Sequence, residues 1–246
     1  MIEVEGLTKR YGDVVAVDGV SFSIQRGEVV GFLGPNGAGK TTTMRMLTGF
    51  VPPSDGTASI AGHDIFADAM GARRSIGYLP ESPPLYPEMR VCDYVEYVAA
   101  IKDLPRRARR EAVDRALERC GLTEVRKRVI STLSKGFRQR VGLAQAVVHD
   151  PPVLILDEPT VGLDPIQINE IRALIADLAS GDAQHTVVLS SHFLADVSAT
   201  CNRIIMINEG RKTVDSTTAE LTSEGRSLEA LFAQETTRDI AVEAAP

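Results

Sequence analysis

Alternating apolar and polar residues near the start of the chain indicate β-structure. From Val14 to Ile24 apolar side chains recur at about every second position, and a turn follows at Arg26-Gly27. The compact apolar run Glu28–Leu33 comes next and is typical of a buried strand. The segment Lys40–Leu47 contains no helix breaker and predicts a helix. A strand, a glycine-rich loop and a helix therefore follow one another directly.

Short apolar runs and longer amphipathic segments alternate along the rest of the chain. Further strands are predicted at Thr57–Ala61, Ile76–Leu79, Val153–Leu156, Thr186–Leu189 and Arg203–Ile207. Further helices are predicted at Val91–Ile101, Arg106–Cys120, Lys135–Val148, Pro165–Ala179 and just after His192. Strands interleaved with helices in this way are typical of an α/β fold.

Three of the predicted helices follow one another without a strand between them. In Arg106–Cys120 the small and apolar side chains fall on one face, at a period close to that of an α-helix. We therefore predict a helical lobe at about residues 88–148, inserted into a body that spans residues 1–217. Residues 218–246 are predicted to form a helical appendage and a tail, in which Leu228, Leu231 and Phe232 indicate a short packed helix.

The segment GPNGAGKT, Gly34–Thr41, fits the phosphate-loop pattern GxxxxGK[ST] completely. In such loops successive backbone N–H groups bind phosphate oxygens, and the following helix adds its positive N-terminal end. Lys40 is expected to reach the β- and γ-phosphates, and the Thr41 hydroxyl to hold Mg²⁺. The chance of a random match is roughly one in a hundred, so the pattern predicts nucleotide binding. The residues expected around the nucleotide are Gly34, Pro35, Asn36, Gly37, Ala38, Gly39, Lys40, Thr41 and Thr42.

Two acidic residues, Asp157 and Glu158, end the apolar strand that begins at Val153. In α/β sheets ligands bind beyond the carboxyl ends of the strands. We expect Asp157 to contact Mg²⁺ beside the phosphate loop, and Glu158 to polarise a water for attack on the γ-phosphate. Two acids at the end of a strand are more often merely solvated, but the complete phosphate loop favours the functional interpretation.

Composition narrows the classes of function. The net charge is −6, which argues against a general nucleic-acid binder. The three cysteines, Cys92, Cys120 and Cys201, are widely separated and argue against a disulfide framework or a zinc site. No apolar stretch approaches the roughly 20 residues of a membrane span, and the first residues lack the pattern of a signal peptide. We expect a cytoplasmic protein that meets a membrane through a partner.

These motifs together resemble the ATP-binding-cassette (ABC) ATPase family, over residues 2–232. Tyr11 resembles the aromatic residue that stacks on adenine in the family, and Val17 a residue that packs beside it. His192, after the strand VVLSS, resembles the histidine that contacts the γ-phosphate. The resemblance thus implies a second catalytic residue, His192, in addition to Glu158.

The segment LSKGFRQR, Leu133–Arg140, resembles the family's signature. In the family the signature's serine and glycine, here Ser134 and Gly136, bind the γ-phosphate of ATP held by the opposite subunit. The loop GLDP contains Asp164, which resembles a residue that contacts that subunit. The resemblance therefore assigns these residues to a nucleotide bound mainly by another chain.

Two departures from the family pattern are visible. The signature has Lys135 and Phe137 where a second glycine and a glutamine are common, and GYLPE ends in Glu81 where glutamine is usual. Glu81 can still face Mg²⁺ or the attacking water, but with a negative charge. Both departures are similar to those of cassettes in export-type or gliding-associated membrane complexes. Glu158 and His192 are present, so an active ATPase is expected.

The resemblance also implies the fold and the mode of action. The fold would be α/β, a phosphate-loop NTPase core with an antiparallel β portion at the N-terminus and an inserted α-helical lobe. Two cassettes, either two copies or one copy and a different chain, would hold ATP and Mg²⁺ between them. Hydrolysis would then drive separate transmembrane permease subunits, with the cassette peripheral on the cytoplasmic face of the cell membrane.

The sequence leaves alternatives open. A soluble ABC ATPase of DNA repair or translation is one, although the chain lacks the long coiled-coil arms or second cassette of such relatives. An unrelated phosphate-loop GTPase is another, but it has no use for the signature or for His192. The proline-rich segment after Glu81 either supplies a groove for a membrane partner or packs within the lobe; its apolar residues are Pro83, Pro84, Leu85, Tyr86, Met89 and Tyr94.

Overall fold

Two β-sheets and eight α-helices are present in the computed structural model among the residues it describes, 1–180, 184–223, 228, 230, 232 and 233. The first half contains β1 (Ile2–Tyr11), β2 (Val14–Ile24), β3 (Val29–Leu33), α1 (Lys40–Leu47), β4 (Asp55–Ile60), β5 (His63–Asp64), α2 (Ala69–Arg74), β6 (Ile76–Leu79), α3 (Val91–Ile101) and α4 (Arg106–Arg119). The second half contains α5 (Lys135–Val147), β7 (Val153–Asp157), α6 (Pro165–Ser180), β8 (Thr186–Ser191), α7 (Leu194–Thr200), β9 (Arg203–Asn208), β10 (Arg211–Thr217) and α8 (Thr218–Ser223).

The smaller sheet is antiparallel and has the strand order β2-β1-β4-β5. Ile2 on β1 lies opposite Ile24 on one side and Ile60 on the other, and all three side chains are fully buried. Alternate residues of these strands therefore point into a core shared with the second sheet. This sheet confirms the antiparallel portion expected near the N-terminus.

The larger sheet has the strand order β10-β9-β3-β8-β7-β6. The five strands β9, β3, β8, β7 and β6 are parallel to one another, and β10 pairs with β9 as an antiparallel edge strand. The central strands β3, β7 and β8 are buried almost throughout, which explains their continuous apolar sequence. Because they are parallel, the loops after Leu33, Asp157 and Ser191 leave the same edge of the sheet.

Helices α3, α4 and α5 lie consecutively between β6 and β7, as predicted. The predicted apolar face of α4 is buried at Ala112, Val113, Ala116 and Leu117, which join the core cluster formed with α3 and α5. The division of the chain into a body, a lobe at about residues 88–148 and an appendage stays a prediction. Among the described residues, no helix has the length and apolar content needed to cross a bilayer.

The predicted elements are found within about two residues of their observed bounds. The segment near the C-terminus is only partly described. Leu228 is buried and Phe232 packs against the same core cluster as α3 to α5, whereas Leu231 lies outside the described residues. At least two of the three apolar residues singled out there therefore contribute to packing.

Candidate nucleotide-binding site

The phosphate loop joins the end of β3 to the start of α1. Gly39 caps α1 with a φ of 102°, a conformation in which a side chain is strained. A Cβ atom at Gly39 would also lie 2.5 Å from the carbonyl oxygen of Ala16, and one at Gly34 only 2.1 Å from that of Ile207. Glycine is thus required at Gly34 and Gly39 by close contacts with the backbone of neighbouring segments.

Lys40 is the first residue of α1 and is almost completely buried. Its Nζ atom donates hydrogen bonds to the carbonyl oxygens of Gly34 and Pro35, at 2.7 and 3.0 Å, and lies 3.5 Å from Glu158 Oε1. Burial lowers the pKa of Lys40 from its usual value, while the carboxylates of Glu158, Asp157 and Glu81 oppose that shift. Lys40 is therefore a cation held within an acidic surrounding.

Asp157 ends β7 and is 1% exposed. Its Oδ1 atom accepts hydrogen bonds from Thr41 Oγ1, at 3.3 Å, and from Ser190 Oγ. The strand order explains the meeting of these residues, because β8, which contains Ser190, lies between β3 and β7. A hydroxyl oxygen and a carboxylate oxygen thus converge beside the phosphate loop.

Glu158 follows in a conformation with a φ of 50°, which is uncommon for a residue with a side chain. Its backbone N–H donates to the carbonyl oxygen of Ser190 at 3.1 Å. Its Oε2 atom lies 2.9 Å from His192 Nδ1, and its other carboxylate oxygen faces Lys40. The two predicted catalytic residues, Glu158 and His192, are therefore hydrogen-bonded to each other.

A cavity of about 330 Å³ opens between the phosphate loop and this pair. It is lined by Ala16, Asn36, Gly37, Gly39, Lys40, Thr41, Thr42, Glu81, Glu158, Val161 and His192. Most were predicted from the sequence. Ala16 and Val161 were not, because neither has a chemical group that points to a ligand.

Glu81 is exposed and lies in the loop after β6. It lines the phosphate-loop cavity and also a neighbouring cavity of about 440 Å³, which Thr41 and Asp157 line as well. Glu81, which replaces the family's usual glutamine, therefore lies beside the predicted metal ligands.

The predicted adenine-binding residues lie at the edge of the site. Tyr11 ends β1 and is 48% exposed, with Lys9 Nζ 5.1 Å from the centre of its ring. Val17 is fully buried, and its Cγ2 atom lies 3.3 Å from where a Cβ of Gly39 would be. Tyr11 is therefore available for stacking, whereas Val17 supports the loop from within and its contact with adenine stays a prediction.

Ser134, Gly136 and Asp164 do not belong to the described lining of the phosphate-loop cavity. Ser134 is exposed at the N-cap of α5, where its Oγ atom accepts a hydrogen bond from Phe137 N at 3.3 Å. Asp164, also exposed, accepts a hydrogen bond from Gln167 N at the start of α6. Ser134 and Asp164 thus lie at exposed helix N-termini, whereas Gly136 is buried in the first turn of α5.

Comparison with known proteins identifies the class. The sequence profile described as "ABC transporter" matches residues 17–161. The Nod factor export ATP-binding protein I of Ralstonia nicotianae is 38% identical over 226 residues, which are 90% of this chain and 68% of that protein. The chain belongs to the ABC transporter family and is one of its ATP-hydrolysing cassettes.

Two solved structures support the same assignment. CbiO1 from Clostridium perfringens, described as part of the ABC transporter complex CbiONQ, matches with a TM-score of 0.82 and 31% identity, over 98% of this chain and 96% of that one. The dimeric cassette MJ0796, in a post-hydrolysis state with ADP and Pi, matches with a TM-score of 0.78 and 26% identity, over 88% of this chain and 98% of that one. The α/β fold with an antiparallel N-terminal sheet is therefore that of an ABC cassette.

Proposed function

We propose that this chain drives an export-type ABC transporter by hydrolysing ATP at the cavity between Lys40, Glu158 and His192. The observation that carries the proposal is the contact of Glu158 with both partners, at 3.5 Å from Lys40 Nζ and 2.9 Å from His192 Nδ1. Lys40 binds the β- and γ-phosphates, Glu158 is the general base, and His192 contacts the γ-phosphate. The likeness to a Nod factor exporter's ATP-binding protein supports export as the direction.

The oxygen atoms beside the phosphate loop fit a magnesium ion. Thr41 and Asp157 offer a hydroxyl and a carboxylate that already lie 3.3 Å apart, and Glu81 lines the same space. Mg²⁺ prefers a small number of such hard oxygen ligands together with substrate phosphates. When bound, the ion would neutralise charge on the phosphates; Thr41, Asp157 and Glu81 are the residues that would hold it.

The adenine end of the nucleotide is assigned to Tyr11 and Val17. Tyr11 has an exposed ring at the end of β1, and Val17 packs against Gly39 of the phosphate loop. A flat aromatic side chain gains contact area by stacking on a base. We assign the remaining nucleotide contacts to the backbone of the phosphate loop and to Thr42, which lines the cavity.

The second half of the site is assigned to a second cassette. Ser134 and Gly136 lie at the N-terminus of α5, where backbone N–H groups and the helix dipole favour an anion. They are outside the described lining of the chain's own cavity, so a γ-phosphate that they bind belongs to another chain. Asp164 would contact that chain. The structure of MJ0796, a similar cassette that forms a dimer, supports this arrangement.

The membrane partner is assigned to a surface that we call the aromatic groove. It is a groove of about 690 Å³ between the large sheet and α3, lined among others by Phe50, Tyr78, Tyr86, Tyr97, Ile101 and Lys102. Phe50 and Ile101 are 71% and 60% exposed. Exposed apolar groups clustered in a groove mark an interaction site. We assign it to permease subunits that hold the cassette peripherally on the cytoplasmic face of the membrane.

The proline-rich segment contributes both to the lining of the aromatic groove and to the core cluster. Pro84 and Tyr86 line the aromatic groove, whereas Leu85 and Met89 pack against the core cluster. CbiO1, which is part of a transporter complex, supports an assembly of the same general kind for this chain.

Substitution of Glu158 by Gln tests the catalytic assignment. The amide keeps the shape of the side chain but cannot accept a proton, so turnover should fall by roughly 10²–10⁴. ATP binding remains, and we expect the variant to form an ATP-dependent dimer. Steady-state hydrolysis and size-exclusion chromatography with Mg·ATP measure the two properties.

The matched control is Glu118→Gln, which changes an exposed acid on α4. It should hydrolyse ATP as the wild type does. Normal hydrolysis by Glu158→Gln would remove Glu158 from the role of base.

A further inference from the structure

A third buried carboxylate, besides Asp157 and Glu158, is hydrogen-bonded to both catalytic segments. Asp196 lies on α7 and is 3% exposed. It accepts hydrogen bonds from Thr160 Oγ1, from Arg172 Nε at 3.0 Å and from Ser191 Oγ at 3.3 Å. A charge at this depth is tolerated only with close partners, so the four side chains form one fixed cluster.

The partners of Asp196 come from three different segments of the site. Thr160 stands two residues after Glu158, and Ser191 immediately precedes His192. Arg172 lies on α6, the helix that starts directly after Asp164. Asp196 itself is absent from the described lining of the cavity. One carboxylate therefore joins the loops of both catalytic residues to the helix behind Asp164.

The loop of Glu158 requires such support. The φ of 50° at Glu158 is a strained conformation, which persists only where the surroundings hold it. The turn that follows is closed by the hydrogen bonds from Val161 N to Glu158 O and from Leu163 N to Thr160 O, both 3.2 Å. The bond from Thr160 to Asp196 anchors the middle of this turn to α7.

The loop of His192 is held by the same cluster. Ser191 Oγ contacts Asp196 and also accepts a hydrogen bond from Phe193 N at 3.0 Å. The backbone on both sides of His192 is thereby fixed. Because the contact between His192 Nδ1 and Glu158 Oε2 spans two loops, its length depends on how these loops are held relative to each other.

We propose that Asp196 is a positioning residue, which holds Glu158 and His192 in register for hydrolysis without touching the nucleotide. The inference rests on the proposed function, in which Glu158 is the base. Loss of the cluster then lowers kcat, because a misplaced base slows the chemical step, while the phosphate loop binds ATP as before. A cluster that serves only stability would lower the melting temperature and leave kcat of the folded protein unchanged.

The gentlest test replaces Thr160. Thr160→Val keeps the shape of the side chain and removes the hydroxyl that donates to Asp196, whereas Thr160→Ser keeps the hydroxyl. We expect Thr160→Val to lose about tenfold in kcat, with the KM for ATP within about twofold of wild type. Thr160→Ser should recover most of the rate.

A second pair of variants changes the carboxylate itself. Asp196→Asn removes the charge and should lower kcat by more than Thr160→Val does, while Asp196→Glu keeps the charge and should lose less. The control is Asp177→Asn, which changes an exposed acid on α6 outside the described lining of the cavity. It should leave kcat at the wild-type value. Melting temperatures of all variants identify any that are unfolded under the assay conditions.

The outcomes separate this inference from the proposed function. A wild-type kcat in both Thr160→Val and folded Asp196→Asn overturns the positioning role, as does a loss that appears only in KM. If Glu158→Gln hydrolyses ATP at the wild-type rate, that result overturns the proposed function instead. A kcat loss in Thr160→Val that Thr160→Ser restores supports the inference.

Discussion

The balance of charge around Lys40 is the residue-scale basis of the site. One buried ammonium group faces the carboxylates of Glu158, Asp157 and Glu81. This excess of negative charge favours the binding of a metal cation together with the nucleotide phosphates. The departure at Glu81 adds to that excess, since the family's glutamine is neutral. Binding of ATP is therefore expected to depend strongly on a divalent cation.

At Ser134, helix capping and nucleotide binding can be separated by one substitution. Asp and Asn both cap a helix about as well as Ser, so Ser134→Asp and Ser134→Asn should keep the stability of wild type within about 1 kcal/mol. Only Asp adds a negative charge that would face a γ-phosphate. We expect Ser134→Asp to lose ATP-dependent dimerisation in a Glu158→Gln background, and Ser134→Asn to retain far more.

Thermal unfolding and size-exclusion chromatography measure these two effects. Equal dimerisation by Ser134→Asp and Ser134→Asn would contradict a phosphate contact at Ser134.

Site residues that belong to a local sequence motif could be predicted from the sequence. Residues that reach the site only through tertiary contacts could not. The phosphate loop, Asp157 and Glu158 come from local patterns that keep their meaning in any fold of this class. Ala16 lines the cavity only because the start of β2 packs against the phosphate loop at Gly39. The partners of Asp196 lie up to 36 positions from it along the chain, and no regular sequence spacing relates them to it.

At the scale of elements, hydrophobic pattern located the strands and helices that are buried. It missed β1, β5, β10 and α2, for identifiable reasons. The alternation of β1 is broken by register shifts after Val4 and after Leu7. The edge strand β10 buries none of its side chains, and α2 buries only Ala72. Because β10 and α2 lack an extensive buried face, these two elements leave no periodic signal in the sequence.

The aromatic groove is a prediction at the element scale, since α3 and the end of the large sheet form it together. Tyr97→Glu, and separately Ile101→Glu, place a charge on the exposed wall of the groove. We expect hydrolysis by the isolated cassette to stay within about twofold of wild type, because neither residue lines the phosphate-loop cavity. Recovery of the tagged chain with the membrane fraction of its host should fall strongly.

Phe66→Glu is the matched control, because Phe66 is 78% exposed and lies outside the described lining of the groove. Equal membrane recovery of Tyr97→Glu and Phe66→Glu would argue against the groove as the permease contact.

At the scale of the whole molecule, the proposed site requires two chains. The phosphate loop and Glu158 line one cavity, and Ser134 at the N-terminus of α5 lies outside the described lining of that cavity. Two chains related head to tail would complete two sites, each with a phosphate loop from one chain and a signature from the other. ATP would then stabilise the closed pair, because its γ-phosphate contacts both chains.

Mixing two inactive variants tests this composite site most directly. Glu158→Gln disables the site at its own phosphate loop, and Ser134→Asp disables the site at its partner's. A hybrid dimer of the two variants retains one intact site, so an equal mixture should hydrolyse ATP at about a quarter of the wild-type rate. A mixture no more active than the average of the separate variants would contradict an ATP site shared between two chains.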